Sequence, residues 1–485
     1  MVGSRKSART LCGVVGLAIG LLTVNPAYAG GMWNLDQGAS HYGRGGANIA
    51  APDDPSAVYV NPAALAGLKG LHFMLGGNYN WDNRTFARAT DNEGLEGTER
   101  MFDSVSNLEK PSPSPNIFAA YNFAGLGVES IAPLTLGVGL WGPPKTNRQY
   151  DVDGPQRYSS VHARDLQAHY VMSAAYQLPW RNLRLGASFG GTSVLVDSSL
   201  KFNVYELRRQ YGEVIFPQDK EYADWDLQAT LSGADHGVPM TTLALSMELW
   251  KNSTLAIAYQ HSFDVNAKGT LKMETGKGFD NPLVMPRIGE FVEGEDITIG
   301  LNMPPVLRVA LNQRFSRGAI ELACVWEGWS RTEETVITPD GIRFNVAALA
   351  DPMDLPVIHK RTEFRDTGSI RFGGEYQVAK RLLVRGGAYY ERAAVGGGRL
   401  TPSEFDLDKV GLTHGGRFEM GAGLYLDVAV GVAYWVPKTV TRSKVLFRDP
   451  APSEYVESDP WPLANGTYSN TQLFSMIALG GQFDI

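Results

Sequence analysis

The chain has 485 residues, 44 Lys and Arg against 51 Asp and Glu, and 54 glycines. Residues 1–29 hold Arg5, Lys6 and Arg9 and no acid, so the rest carries 41 basic (44 less 3) and 51 acidic side chains, a formal charge of −10. That balance excludes a general nucleic-acid binder, which needs clustered Lys and Arg; 44% hydrophobic residues exclude a disordered chain, and the lack of repeated apolar runs of about 20 residues excludes a helical membrane protein.

The N-terminus reads as an address. Met1–Arg9 is basic, Leu11–Leu22 is a short apolar core, and Ala27-Tyr28-Ala29 is a small-x-small cleavage site before Gly30. These features define a Sec signal peptide over residues 1–29, because the apolar core is too short to span a bilayer. Cys12 lies within it, so the mature chain keeps one cysteine, Cys324, and no internal disulfide. An exported chain of this length without a disulfide must draw its stability from elsewhere.

Residues 30–69 follow no strand period. They are small, polar and Gly-rich from Gly38 to Ala47, then carry Asp53-Asp54-Pro55 and Asn61-Pro62-Ala63-Ala64-Leu65. From Leu71 the period becomes two. Leu71, Phe73, Leu75, Gly77, Tyr79 and Trp81 alternate with His72, Met74, Gly76, Asn78 and Asn80. Fourteen such segments lie near 71–81, 115–123, 133–141, 166–178, 183–196, 238–250, 254–263, 304–315, 319–329, 368–378, 382–391, 417–426, 428–437 and 471–485. Residues 223–232 alternate weakly and read as a strand extension or a loop ribbon. Met420–Pro437 is the most apolar stretch after the signal, and Asp427 reads as the break between two strands there.

The connections alternate in length. Short ones fall at 179–182, 250–253, 316–318, 379–381 and Asp427, and long polar ones at 82–114, 142–165, 197–237, 264–303, 330–367, 392–416 and 438–470. Short turns on one side and long loops on the other are the mark of an outer-membrane barrel, and strands of about ten residues suffice to cross when tilted. Aromatics near strand ends (Tyr79 and Trp81, Tyr389 and Tyr390, Tyr434 and Trp435) suit interfacial girdles. The last strand puts Leu479, Gly481, Phe483 and Ile485 on one face. The expected fold is therefore all-β: a transmembrane antiparallel β-barrel of about 14 strands over residues 70–485.

Several ordered motifs make the chain similar to a known family. The glycine stretch around Arg44, the pair Asp53-Asp54 and then Asn61-Pro62-Ala63 resemble the N-terminal hatch of FadL-type outer-membrane transporters of long-chain fatty acids and other hydrophobic compounds. Leu301-Asn302-Met303-Pro304 looks like the family's strand-leading Leu-x-Leu-Pro, and Glu327-Gly328-Trp329-Ser330 like its Trp-Ser strand end. Asp366-Thr367, Gly373-Gly374-Glu375-Tyr376 and Arg385-Gly386-Gly387 look like its tenth and eleventh strands. The resemblance implies a fourteen-stranded barrel of the Gram-negative outer membrane, plugged by residues 30–69, with Asp53, Asp54, Asn61, Pro62 and Ala63 as gating residues. It implies a hydrophobic small-molecule ligand, outer-membrane lipid and the barrel-assembly machinery as partners, and no cofactor. In the family, substrate is captured at the extracellular loops. It leaves sideways at a kinked third strand or onward past the hatch. The third strand here is Leu134–Trp141, followed by Gly142-Pro143-Pro144. Its Gly137 and Gly139 either mark a bend for lateral exit or make room for the hatch.

Enzyme-like strings carry little. Gly186-Ala187-Ser188-Phe189-Gly190 fits GxSxG, but a strand continues where a nucleophile elbow must turn into a helix. Gly137-Val138-Gly139-Leu140-Trp141-Gly142 fits GxGxxG but runs into prolines instead of opening a helix. The histidines are scattered, so no metal site is implied. By alternation Arg184, Arg308, Arg371 and Arg385 point into the lumen, with Glu321, Glu327 and Glu375 among them. They form either an internal salt-bridge network or, at one arginine, a seat for a fatty carboxylate. Passive transport of long-chain fatty acids or aromatic hydrocarbons is the reading these features favour; a general porin or surface-contact barrel for polar solutes is the alternative.

Overall fold

A computed structural model describes residues 37–90, 99–111, 113–143, 147–202, 221, 223–280, 292–344, 353–445 and 463–484. Residues 1–36, which include the expected signal peptide, and Ile485 lie outside the described residues.

Fourteen strands form one closed antiparallel barrel: β1 (Leu71–Asp82), β2 (Ser114–Asn122), β3 (Leu134–Trp141), β4 (His162–Gln177), β5 (Arg184–Phe202), β6 (Leu227–Glu248), β7 (Ser253–Gln260), β8 (Val306–Arg314), β9 (Gly318–Glu327), β10 (Thr367–Ala379), β11 (Leu382–Glu391), β12 (Lys409–Gly421), β13 (Leu424–Val440) and β14 (Gly466–Phe483). Each pairs with the next in sequence. The barrel closes where β1 meets β14, from Leu71↔Phe483 to Asp82↔Gln472. Closure removes every edge, which hydrocarbon demands because it offers no partner to a free N–H or C=O.

The period of two becomes two faces. Leu75, Tyr79 and Trp81 are exposed on the outside of β1, while Met74, Asn78 and Asn80 are buried inside. On β9, Ile320, Leu322, Cys324 and Trp326 face out and Glu321, Ala323 and Val325 face in. Trp180, Trp250, Phe315, Tyr376 and Phe418 are exposed near the short-turn ends, and Trp81, Tyr390 and Tyr434 near the opposite ends. Two girdles therefore exist, but Tyr389 and Trp435, expected in them, face inward; Trp435 is fully buried.

On the long-loop side the wall continues past the membrane. β6 begins at Leu227, so residues 227–232 are an extension of that strand. Phe263–Thr275 pairs with β6 and with Asp296–Met303, which pairs with Glu334–Pro339. Pro304-Pro305 separates Asp296–Met303 from β8, as suits residues that cannot donate to a ladder.

One sequence expectation is corrected. Asp427 is not a turn: it sits inside β13, fully buried and opposite Arg417 of β12. The turn is Gly421-Ala422-Gly423, with φ of 98°, 51° and 78°. Positive φ at successive central residues matches the right-handed twist of a tight hairpin.

Candidate functional site

The N-terminal segment lies inside the barrel. It contains the short helices α1 (Ala39–Gly43) and α2 (Ala57–Val60) and a 3-10 helix over Pro62–Gly67, almost all buried. Asn61 sets the last of these. Its Oδ1 accepts from the Ala63 amide at 3.1 Å, and Pro62 takes the first helical position, where its missing N–H is no loss. The Asn61 Nδ2 donates to the Ile49 carbonyl at 2.8 Å and to the Ser246 hydroxyl of β6 at 2.9 Å. One side chain thus caps a helix, folds the segment on itself and ties it to the wall. Asp54 serves the segment internally, accepting from the Ser56 amide at 2.9 Å and from the Ser40 and Ser56 hydroxyls.

Small residues in the wall give this segment its space. A Cβ on Gly387 would lie 2.2 Å from the Arg44 carbonyl carbon, and one on Gly186 would lie 2.1 Å from the Ala63 nitrogen. Gly186 opens the GxSxG string, so that string marks backbone contact. Its Ser188 donates to the Val58 carbonyl at 2.9 Å. Gly137 and Gly139 face the lumen in the same way. A Cβ on Gly137 would meet Val58 at 2.8 Å, and one on Gly139 would meet Phe118 at 2.9 Å and Val58 at 3.0 Å. The ladder is unbroken at both, through Ala120↔Gly137 and Phe118↔Gly139 on one side and Gly137↔Ser173 and Gly139↔Val171 on the other.

A chain of charges joins segment and wall. Asp53 meets Arg417 at 3.0 Å; Arg417 meets Asp427 at 2.8 Å; Asp427 meets Arg385 at 2.9 Å; and Arg385 meets Glu375 at 3.4 Å. Arg44 follows, 3.8 Å from both Glu375 and Glu321. Glu321 also accepts from the Ala50 amide at 3.2 Å and from Asn312 at 3.1 Å. Asp53 sits in a partly open recess between the segment and the wall near the short turns. Burial there works to raise its pKa, but Arg417, then Arg385 and Arg44, hold its carboxyl well below the ordinary carboxylate range. Arg417 is not among the lumen arginines read from the sequence, because the segment expected from residue 417 places it at a strand end, whereas the strand begins at Lys409.

The four arginines expected in the lumen divide into two kinds. Arg308 donates to the Tyr59 hydroxyl at 3.1 Å with its guanidinium 5.0 Å from the Tyr59 ring centroid. Arg371 donates to Ser369 at 2.8 Å and lies 3.5 Å from Glu391. Arg385 belongs to the charge chain. These three hold protein to protein. Arg184 lies at the short-turn end, half-buried, where a Cβ on Gly67 would come 2.6 Å from its Nη1. It forms no ion pair or side-chain hydrogen bond among the described residues.

Above the segment aromatic rings cluster in the lumen with buried charges among them, Arg84 5.2 Å and Lys409 4.7 Å from the Trp435 ring centroid. Trp141 contacts Tyr59, His169 and Phe118 with ring centroids 5.1, 5.2 and 5.6 Å apart. Phe405 and Tyr468 form a second cluster, 5.4 Å apart, with Phe86 and Trp435 against them. All of these rings except His169 belong to one buried hydrophobic cluster that also includes Val58, Val60 and Leu65 of the N-terminal segment.

This architecture is similar to that of several solved structures. The crystal structure of a Pseudomonas aeruginosa FadL homologue superposes with a TM-score of 0.71 at 16% identity, over 93% of this chain and 99% of that one. The Ralstonia pickettii toluene transporter TbuX gives 0.62 at 16% identity, over 92% and 98%. The P. putida toluene transporter TodX gives 0.62 at 16% identity, over 93% and 99%. No curated protein sequence matches the chain. The model of the family described as outer membrane protein transport protein (OMPP1/FadL/TodX) matches residues 20–453. With that match over most of its length and the closed fourteen-stranded barrel, the chain belongs to the FadL/TodX family of transport proteins of the Gram-negative outer membrane.

Proposed function

We propose that the protein carries hydrophobic small molecules passively across the outer membrane, with residues 30–69 as the hatch that gates the lumen. The observation that supports this most directly is the aromatic lining above the hatch, continuous with the hatch's own Val58, Tyr59 and Leu65. A hydrocarbon can pack against these rings, whereas the charges beside them are engaged within the protein, Arg84 with Asp82 at 2.7 Å and Lys409 with Glu391 at 2.7 Å. The toluene transporters and the FadL homologue of the same fold suit the same reading. A porin for polar solutes finds no support in the family.

Asn61, Pro62 and Ala63 act in this reading as the hinge of the hatch, and Asp53 and Asp54 as its electrostatic and internal ties. Gly137 and Gly139 are assigned to seating Val58 and Leu65, and lateral exit at their level would first have to break their pairs with β2 or β4. The test is removal of residues 30–69 from an otherwise intact barrel. The shortened protein should conduct ions steadily in a planar bilayer where the full chain stays closed. Equal conductance in both would remove the gating role.

A further inference from the structure

The connection between β11 and β12 lies at the long-loop end, which faces the cell exterior in such barrels. Loops normally run over the surface, yet every residue from Leu400 to Leu407 is buried, and Phe405 fully so. No ladder holds this segment. Among the described residues, the one backbone–backbone hydrogen bond that it makes is internal, from the Thr401 amide to the Glu404 carbonyl at 3.3 Å. Side chains tie it to the wall and to a neighbouring loop instead. The Ser159 hydroxyl donates to the Ser403 hydroxyl at 3.2 Å, the Tyr468 hydroxyl donates to the Leu400 carbonyl at 3.2 Å, and Lys360 Nζ lies 2.5 Å from Glu404. The segment can therefore leave without breaking a strand pair of the barrel.

Phe405 enters a seat made by strand residues. Tyr468 of β14 and Trp435 of β13 have their rings 5.4 and 6.2 Å from its own, and Phe86 of the short strand Thr85–Arg88 backs Tyr468 at 4.8 Å. The seat holds a donor that Phe405 leaves unused. Trp435 is fully buried, and its Nε1 has no hydrogen-bond partner among the described residues. A buried indole N–H normally finds an acceptor, and a phenyl side chain offers none. The charges beside the seat are not spare, because Arg84 is paired with Asp82 and Lys409 with Glu391. A neutral oxygen therefore suits Trp435, whereas an incoming carboxylate would be a buried charge without a free partner. We propose that this seat binds the ring of a substrate carrying a neutral oxygen, such as a phenol or an aryl ketone, and that Phe405 is its built-in competitor. The Leu400–Leu407 segment is then an outer gate that the incoming ring displaces. The inference rests on the transport reading and specifies its substrate class and point of entry.

The test is calorimetric titration of the full-length protein in detergent, folded by its heat-modifiable band, with 4-methylphenol and with toluene. Phe405→Ala removes the competitor and should bind 4-methylphenol about tenfold more tightly than wild type, because the open seat no longer has to be populated first. Trp435→Phe keeps a ring but removes the N–H. It should lose about tenfold for 4-methylphenol, the worth of one hydrogen bond to a buried donor, with toluene unchanged. Ser159→Cys/Ser403→Cys covers the case in which either variant folds poorly. Its two positions are close enough for a disulfide, and the oxidised form should bind neither compound while the reduced form binds both. Equal binding by the oxidised and reduced forms, or no gain in a folded Phe405→Ala, would overturn the gate and leave hydrophobe transport standing. Equal loss of both compounds in Trp435→Phe would overturn the recognition of oxygen. Proteoliposomes that admit neither compound faster than protein-free vesicles would overturn the transport reading and the gate with it.

Discussion

Replacing Asn61 by alanine should loosen the hatch while sparing the barrel. The side chain makes three hydrogen bonds: from Ala63 N at 3.1 Å, to Ile49 O at 2.8 Å and to Ser246 Oγ at 2.9 Å. Loss of a helix cap costs about 1 kcal/mol. The Ile49 carbonyl and the Ser246 hydroxyl are then left unpaired in a buried site, at about 1 kcal/mol each. Two of the three bonds lie within the segment, so the sum, about 3 kcal/mol, corresponds to roughly a hundredfold shift from the seated hatch towards one that unfolds as it is released. None of these bonds belongs to the ladder, so the heat-modifiable band of the folded barrel should persist. Single-channel recording in planar bilayers reads the shift directly, as openings roughly a hundredfold more frequent than in wild type. A correctly folded Asn61→Ala barrel as quiet as wild type would refute the argument.

Other perturbations test the remaining joints. Asp427→Ala leaves Arg385 and Arg417 without the carboxylate between them. Breaking such a buried pair costs about 3–5 kcal/mol, seen as a lower temperature for loss of the folded band; an unchanged transition would mean the lumen charges are solvated. Gly139→Val places new atoms against Phe118 and Val58, so overpacking of about 1–3 kcal/mol should fall on the hatch. Protease sensitivity of residues 37–69 should rise, whereas slowed uptake with a seated hatch would instead favour lateral exit at this strand. The Asp53 carboxyl has a depressed folded-state pKa, so its contribution is fully present above the ordinary carboxylate value near 4 and is lost only as pH falls through the depressed value. Maleimide access to a cysteine at Lys69, corrected for the reagent's own pH dependence, should therefore be constant between pH 5 and 8 in wild type and higher throughout in Asp53→Asn. A wild-type rise between pH 8 and 5 would contradict this assignment.

Much of the barrel was legible because lipid and lumen impose opposite chemistry on alternate residues. Leu71 to Trp81 and Leu382 to Tyr390 announce their strands by that alternation alone, and all fourteen strands were found. The β12–β13 boundary was misplaced because a lumen-facing Asp427 in an apolar run looks like a turn residue. The true turn, Gly421-Ala422-Gly423, was hidden among apolar neighbours. Alternation also places Arg308, Arg371 and Arg385 inside, but not their partners. Tyr59 comes from the N-terminal segment and meets Arg308 only inside the closed barrel, while Glu391 meets Arg371 through the register of the β10–β11 hairpin. The N-terminal segment shows in the sequence only as a stretch without period, matched by family likeness. The tight fit of Gly387 on Arg44 and of Gly186 on Ala63 leaves no periodic trace, because glycine in a wall reads the same whether it bends a strand or admits a neighbour.

A plugged barrel of this kind should admit hydrophobic molecules and exclude polar ones. Proteoliposomes containing the full mature chain, presented in parallel with toluene and with arabinose, test it in one comparison of initial entry rates. Toluene entry should exceed that of protein-free vesicles while arabinose entry should not. Faster arabinose entry with unchanged toluene entry would contradict it.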